Sequence, residues 1–340
     1  MKDIFRKQLR LGLGTAKARL KENERLYSLI WDIISAARWY NDLSLHEEML
    51  ADSVRVDTYA DAIRRHIDSD DVVVDLGTGT GLLAILAARQ GAKVYAIDHS
   101  EFINVAEQVA RHNGVDDIDF RQTHSKDFTC PEKVDVILHE QIGHDLFEEK
   151  MVRNLLDLKQ RLLKSSGTIL PGEFDLFLEP TALNDEYRVP FIDELSVQGI
   201  DFGFLGDHPV AEKYKSDGYA QVRRMETAAF DHFLSTPEPA LSVDLNALTD
   251  RDSIPTDLRA SRRVVNPGPL DGFSLFFRTI FDDEIQFDTA PTHTNTHWRN
   301  RLFRTHREAY SEGEEISYAV TIGDLYDPDT WDISTERKVV

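Results

Sequence analysis

Between residues 71 and 180 the apolar positions fall into two alternating textures. Short unbroken runs, such as Val72-Val73-Val74, VYAI (94–97) and Val134-Asp135-Val136-Ile137-Leu138, are separated by stretches with helical spacing, such as LLAILAARQ and EFINVAEQVARHNG. Runs of that kind read as strands buried on both faces, and their alternation with helices predicts a parallel sheet covered by helices. Upstream, NERLYSLIWDIISAARWYN (23–41) carries Leu26, Ile30, Ile33 and Ile34 at helical spacing, and HEEMLADSVRVDTYADAIRRHI reads as a second helical stretch. After Pro180 the pattern changes: residues 181 to 215 are irregular, with Pro190, Gly199, Gly203, Gly206 and Pro209. From about 217, AQVRR, FSLFFRTIF, HWRNRLFR and ISYAVTI lie between turns, which predicts a second, all-β domain, a sandwich or a barrel.

Composition narrows the function. The chain has 340 residues, 41% of them apolar, one cysteine (Cys130) and a formal net charge of -21. The acidic balance argues against a nucleic-acid partner and is compatible with a cationic substrate. No apolar run approaches the roughly 18 residues of a membrane span, so no membrane partner is expected. The basic N-terminus lacks the apolar core of a signal peptide. A single cysteine forms no intrachain disulfide, and a cytoplasmic setting is expected.

The sharpest local signal is VVVDLGTGTGLL (72–83), a strand running into glycines and then a helix. Glycines let the backbone turn tightly and approach a ligand at the carboxyl edge of the sheet. The spacing is G-x-G-x-G rather than the G-x-G-x-x-G of dinucleotide binders. Asp75 ends the strand, and Asp98 ends the next one, 23 residues later. A carboxylate at Asp98 suits the two hydroxyls of a ribose. The grouping of Asp75, Gly77, Gly79 and Asp98 resembles the S-adenosylmethionine site of class I methyltransferases.

A second signal follows the strand at 134–138: HEQIGHDLFEE, residues 139 to 149. His139 and His144 are five apart with Gly143 between them, so the i, i+4 helix face of a zinc H-E-x-x-H motif is not available, and no metal is expected. Glu140 and Glu149 flank the loop. Held close, they suit proton transfer, since one pKa of such a pair rises. They equally suit a guanidinium, whose planar fork of N–H donors matches carboxylates. Glu148 and Asp145 are expected to be solvated or capping residues.

Together these residues resemble the protein arginine methyltransferases. HEQIGHDLFEEKM aligns with that family's double-glutamate loop, placing its two glutamates on Glu140 and Glu149. HEEMLADSVR (46–55), Thr296-His297-Trp298 and Thr321-Ile322-Gly323 follow three further family motifs in order. The resemblance implies an α/β fold: a Rossmann-like class I methyltransferase domain, then a β-barrel domain carrying a helical dimerisation arm, and a head-to-tail homodimer. The expected division is an N-terminal helical segment (1–45), the cofactor domain (46–180) and the barrel domain (181–340), with the arm at about 181–213. It also implies roles. Arg55 pairs with the carboxylate of the cofactor's methionine moiety. His297, paired with Asp52, relays the proton. Met49 and Met151 line the pocket, and His46 and Ser125 lie at the cofactor. Tyr40, Gln141, His144 and Trp298 join Met151 at the substrate. The expected reaction methylates a guanidino nitrogen of arginine and releases S-adenosylhomocysteine.

The departures lie around the substrate. Before HEEML the family has two aromatics, two spacers and a tyrosine; Ala36-Ala37-Arg38-Trp39-Tyr40 keeps only the tyrosine. Gln141, Ile142 and His144 stand where the family has tryptophan, methionine and tyrosine. The family's adenine-contacting glutamate falls near Ser125-Lys126-Asp127, where no glutamate stands. The kept carboxylates with lost aromatics lean toward a small or unusual guanidine such as free arginine, with peptide or protein arginine as the other version. Methylation of another nucleophile and a non-catalytic cofactor-binding module remain the alternatives.

Overall fold

The structure, a computed structural model, describes residues 43–211 and 222–336. The expected helix over 23–41 and Tyr40 lie outside the described residues. The first unit runs α1 (Leu43–Ala51), α2 (Ser53–His66), β1 (Val72–Leu76), α3 (Leu82–Arg89), β2 (Lys93–Asp98), α4 (Phe102–His112), β3 (Ile118–Gln122), β4 (Val134–His139), α5 (Met151–Leu162) and β5 (Leu163–Leu170). Its five strands are all parallel, in the order β3-β2-β1-β4-β5. β1 is central and every one of its residues is buried, as the run of valines predicts. The chain leaves β1 in one direction and returns on its other side at β4, so the ligand-binding crevice opens at the carboxyl ends of these strands. The register sets Leu76 beside both Ile97 and His139. Gly77, Asp98 and Glu140 therefore leave the sheet together.

The second unit opens with β6 (Glu173–Leu183), followed by β7 (Ser196–Val197), β8 (Ile200–Asp201), β9 (Val222–Met225), β10 (Phe230–Phe233), β11 (Leu241–Asp244), β12 (Asp257–Arg263), β13 (Gly268–Ile280), β14 (Gln286–Asp288), β15 (Asn300–Tyr310), β16 (Glu315–Thr321) and β17 (Asp332–Glu336). One antiparallel sheet is built on β10-β6-β13-β15-β9 and the other is β12-β16-β17. They face each other through Tyr318, which stacks near Phe273 at 4.6 Å and donates its hydroxyl to Leu178 O at 2.6 Å. The change of sheet falls at Pro171-Gly172 rather than at residue 180, because β6 already pairs with β13. One apolar cluster runs from Val73 and Ile137 of the parallel sheet to Phe273 and Trp298 of the β domain.

Between β6 and residue 211 the expected helical arm consists of 3-10 turns at Ile192–Glu194 and Gly203–Asp207, the β7–β8 hairpin and a helical turn opening at Pro209. It leaves Ile200, Phe204 and Val210 at least 60% exposed.

Candidate active site

On the cofactor side of the crevice, the turn after β1 places Gly77 at φ +75 and Gly79 at φ +53. A Cβ on Gly79 would lie 3.2 Å from His46 Cε1. His46 covers this turn, with its ring 4.0 Å from that of Phe102. The Asp98 carboxylate accepts the Gly79 N–H at 3.0 Å and the Ser100 N–H at 2.8 Å, which orients it and leaves further lone pairs for a ligand. Asp75 departs from its expected role. It is 1% exposed and accepts the Thr78 hydroxyl at 2.6 Å, so it buttresses the turn from beneath and has almost no surface for a ligand. Burial, opposed by that hydrogen bond, pushes its pKa up to about 7. Ser125 lies on a short turn after β3, its hydroxyl 3.3 Å from His124 Nδ1.

Arg55 lies between the two sides. Its Nη1 donates to Glu140 Oε2 at 2.8 Å and its Nη2 to the Met49 carbonyl at 2.8 Å. Among the described residues its Nε is buried with no hydrogen-bond partner. A buried donor left over beside a crevice calls for an acceptor, which fits a carboxylate-bearing ligand. Glu140 is buried, and burial raises its pKa against the pull of Arg55 and His297.

His297 and Asp52 meet as the sequence resemblance implied, although they are 245 positions apart. Asp52 caps the N-terminus of α2 by accepting the Arg55 N–H at 3.1 Å. Its other oxygen accepts the His297 N–H at 2.9 Å and pairs with Nδ1 at 2.8 Å. Burial works to raise the Asp52 pKa, but the hydrogen bonds from His297 and Arg55 overcome it and hold the pKa down. An ionised Asp52 fixes the imidazole with Nδ1–H toward itself, which leaves Nε2 as a proton acceptor.

The loop at 140–149 joins β4 to α5. His139 is fully buried beneath it: Nε2–H donates to Pro171 O at 2.9 Å and Nδ1 accepts the Gln141 N–H at 3.3 Å. Burial drives its pKa down to about 4. The Gln141 side chain lies over Gly77, with Nε2 3.8 Å from where a Cβ would stand, and accepts from Asn154 at 3.1 Å. His144 is held neutral by burial, with a pKa of about 4, and its Nδ1 has no partner among the described residues. Glu149, half-buried, closes the loop just before α5.

Four expectations about this loop and the side chains around it are overturned. Asp145 is buried, not solvated: it is 2% exposed and accepts from Arg301 Nε at 2.8 Å. Glu148 is also engaged, 3.0 Å from Arg224 Nη2 and 3.5 Å from Arg301 Nη2, and burial with the neighbouring Asp145 raises its pKa to about 7. Trp298 does not wall the pocket. It is 3% exposed, packs between Phe277 and Phe287, each 5.5 Å away, and its Nε1–H holds the Ile142 carbonyl at 3.0 Å. Met151, 0% exposed, belongs to the apolar core. Sequence reasoning missed Arg301. The signal was an arginine inside the buried strand run NRLF, which demands a buried acid. Among the described residues, no three histidine, cysteine, aspartate or glutamate side chains cluster as metal ligands.

Comparison with known proteins finds matches to both domains. Residues 67–195 match the Methyltransferase domain family, and residues 219–334 match the Arginine methyltransferase oligomerization subdomain. Protein arginine N-methyltransferase 6 of Xenopus laevis is 31% identical, over 83% of this chain and 84% of its own. Protein arginine N-methyltransferase 1 of Schizosaccharomyces pombe is 32% identical over 83% and 82% of the two chains. Among solved structures, the Trypanosoma brucei PRMT1 enzyme-prozyme heterotetrameric complex with AdoHcy superposes with a TM-score of 0.71 at 25% identity, covering 86% of this chain and 92% of that one. Protein arginine methyltransferase 10 of Arabidopsis thaliana gives 0.70 at 26% identity, with the same coverage. With two domains in the same order and a relative of this identity matched along most of its length, the chain belongs to the protein arginine N-methyltransferase family.

Proposed function

We propose that this protein transfers a methyl group to a guanidino nitrogen of arginine, with Glu140 and Glu149 as the guanidinium clamp. The methyl donor is S-adenosylmethionine, the cofactor of the family, which supplies a methyl group activated on a sulfonium. Gly77, Gly79 and the Asp98 carboxylate would hold its ribose end, with His46 above the turn and Met49 and Ser125 nearby. Arg55, with its unsatisfied Nε, would meet its carboxylate.

The carrying observation is the pair of glutamates at the two ends of one loop, whose Gln141 side chain lies over Gly77 of the glycine turn, with Glu140 already receiving a guanidinium N–H from Arg55 at 2.8 Å. Two carboxylates fix the plane of a guanidinium and draw its positive charge away from one nitrogen. Orientation then supplies much of the rate. His297 Nε2, held by Asp52, accepts the proton that the nitrogen loses as its bond to carbon forms.

The relatives' names favour a peptide or protein arginine. A specific observation keeps a small guanidine in view: Gln141 and His144 give this loop polar edges at two positions where the resemblance expected aromatics. Incubating the protein with S-adenosylmethionine and either free arginine or an arginine-rich peptide, followed by mass spectrometry, separates the two. Methyl incorporation into one of them is the expected result; none into either refutes the assignment. The working form is a homodimer, supported by the match to an oligomerization subdomain and by the apolar arm residues Ile200, Phe204 and Val210.

A further inference from the structure

The loop that carries the clamp is held in a conformation its own sequence resists. Leu146 (φ 75) and Lys150 (φ 59) both sit in the left-handed region, which is disfavoured for a residue with a Cβ. Glu149 lies between them. Such backbone persists where its surroundings over-determine it.

The surroundings here belong to the second domain. Trp298 holds the Ile142 carbonyl at 3.0 Å. Arg301, near the start of β15, grips the next residues. Its Nε and Nη2 both donate to Asp145 Oδ2, its Nη2 lies 3.5 Å from Glu148, and its Nη1 donates to Asp329. The Arg301 and Asp145 side chains are 6% and 1% exposed, so the pair is shielded from water. Arg224, on β9, reaches the same Glu148 oxygen at 3.0 Å and lies 3.6 Å from Asp145 Oδ2. A planar guanidinium fixes a carboxylate in direction as well as distance. Asp145 is four residues before Glu149, and Glu148 is its neighbour.

We infer that Arg301 is a positioning residue for arginine recognition: through Asp145 and Glu148 it sets the backbone that presents Glu149 before substrate arrives. The inference rests on the assignment of Glu140 and Glu149 as the clamp. It touches neither substrate nor cofactor directly, so its loss should act on substrate binding and spare the cofactor.

A merely stabilising ion pair makes a different forecast. Buried ion pairs can be replaced by apolar residues of similar size with stability kept or raised. The test is therefore the double variant Asp145→Leu/Arg301→Met beside the full-length wild type. Three quantities are read: melting temperature, S-adenosylhomocysteine affinity by calorimetry, and methylation kinetics on whichever guanidine the wild type accepts. The expected result is a folded protein with unchanged S-adenosylhomocysteine affinity and kcat/KM lowered on the order of a hundredfold, mostly through KM. A folded double variant with wild-type KM overturns the inference. If the double variant does not fold, Arg301→Lys decides, because it keeps the charge and loses the fork: a KM raised roughly tenfold supports positioning, and an unchanged KM overturns it. A wild type that methylates no guanidine overturns the clamp assignment, and this inference with it.

Discussion

On the cofactor side of the crevice, Gly77, Gly79 and Asp98 fall within one stretch of 22 residues, 77–98, and the Asp98 carboxylate is oriented by backbone N–H groups. On the guanidinium side, Glu140 is held by Arg55, 85 positions away, and the loop by Trp298 and Arg301, each 156 positions from its partner. The first wall is made by local turn chemistry. The second exists only once both domains are folded. A side built from its own sequence tolerates change elsewhere; a side built from distant charges inherits every fault in the assembly.

The largest effect should isolate the second wall. Glu149→Gln removes a charge-assisted partner of the guanidinium and should lower kcat/KM by about 10²- to 10³-fold, with S-adenosylhomocysteine affinity unchanged by calorimetry. A variant that retained most of its activity would mean that Glu149 does not hold the substrate and that another nucleophile is methylated.

The next effect acts at the seam. His139 has a folded pKa of about 4 against 6.5 in the unfolded chain, so the unfolded state takes up the proton first. Stability is therefore full above about 6.5 and is lost as pH falls toward 4, by about 3 kcal/mol for this group. His144 adds to the same slope. Melting curves across that range, compared with those of His139→Phe, test it: the variant should show a shallower decline. Because His139 Nδ1 accepts the Gln141 N–H, acid should weaken arginine binding before it weakens cofactor binding.

The smallest effect belongs to the first wall. Gly79→Ala places a Cβ at φ +53, 3.2 Å from His46 Cε1. The strain of about 1–2 kcal/mol corresponds to roughly tenfold weaker cofactor binding, while KM for the guanidine at saturating cofactor should hold. Equal loss of both would show that the two walls are not independent.

The same contrast explains what could be read before folding. β1, the turn at 77–81 and Asp98 are written contiguously, and the structure places them where the pattern predicted. Glu140 and Glu149 stood out as acids flanking one loop at the sheet's carboxyl edge, and the Asp52–His297 pairing was expected only through resemblance to a family. Asp145 was misread as solvated because an acid beside other acids looks like surface until its arginine is known, and Arg301 stands on another domain. Trp298 and Met151 were misplaced for a related reason: a large side chain near a site motif is as suited to supporting a loop as to lining a pocket, and only burial separates the two.

The helix α2 has a mechanical consequence. Its N-terminal cap, Asp52, is bound to His297 at 2.8 Å, and its last turn is tied by Arg65 and His66 to Asp282 at 3.1 and 2.6 Å. His297 and Asp282 both belong to the second domain. A strut about 21 Å long is thus bolted to that domain at both ends while its flank packs on the parallel sheet through Tyr59 and Ile63. Any hinge that parted the domains would have to shear both fastenings at once. The distance between His297 and the glycine turn can then change only if both fastenings give way.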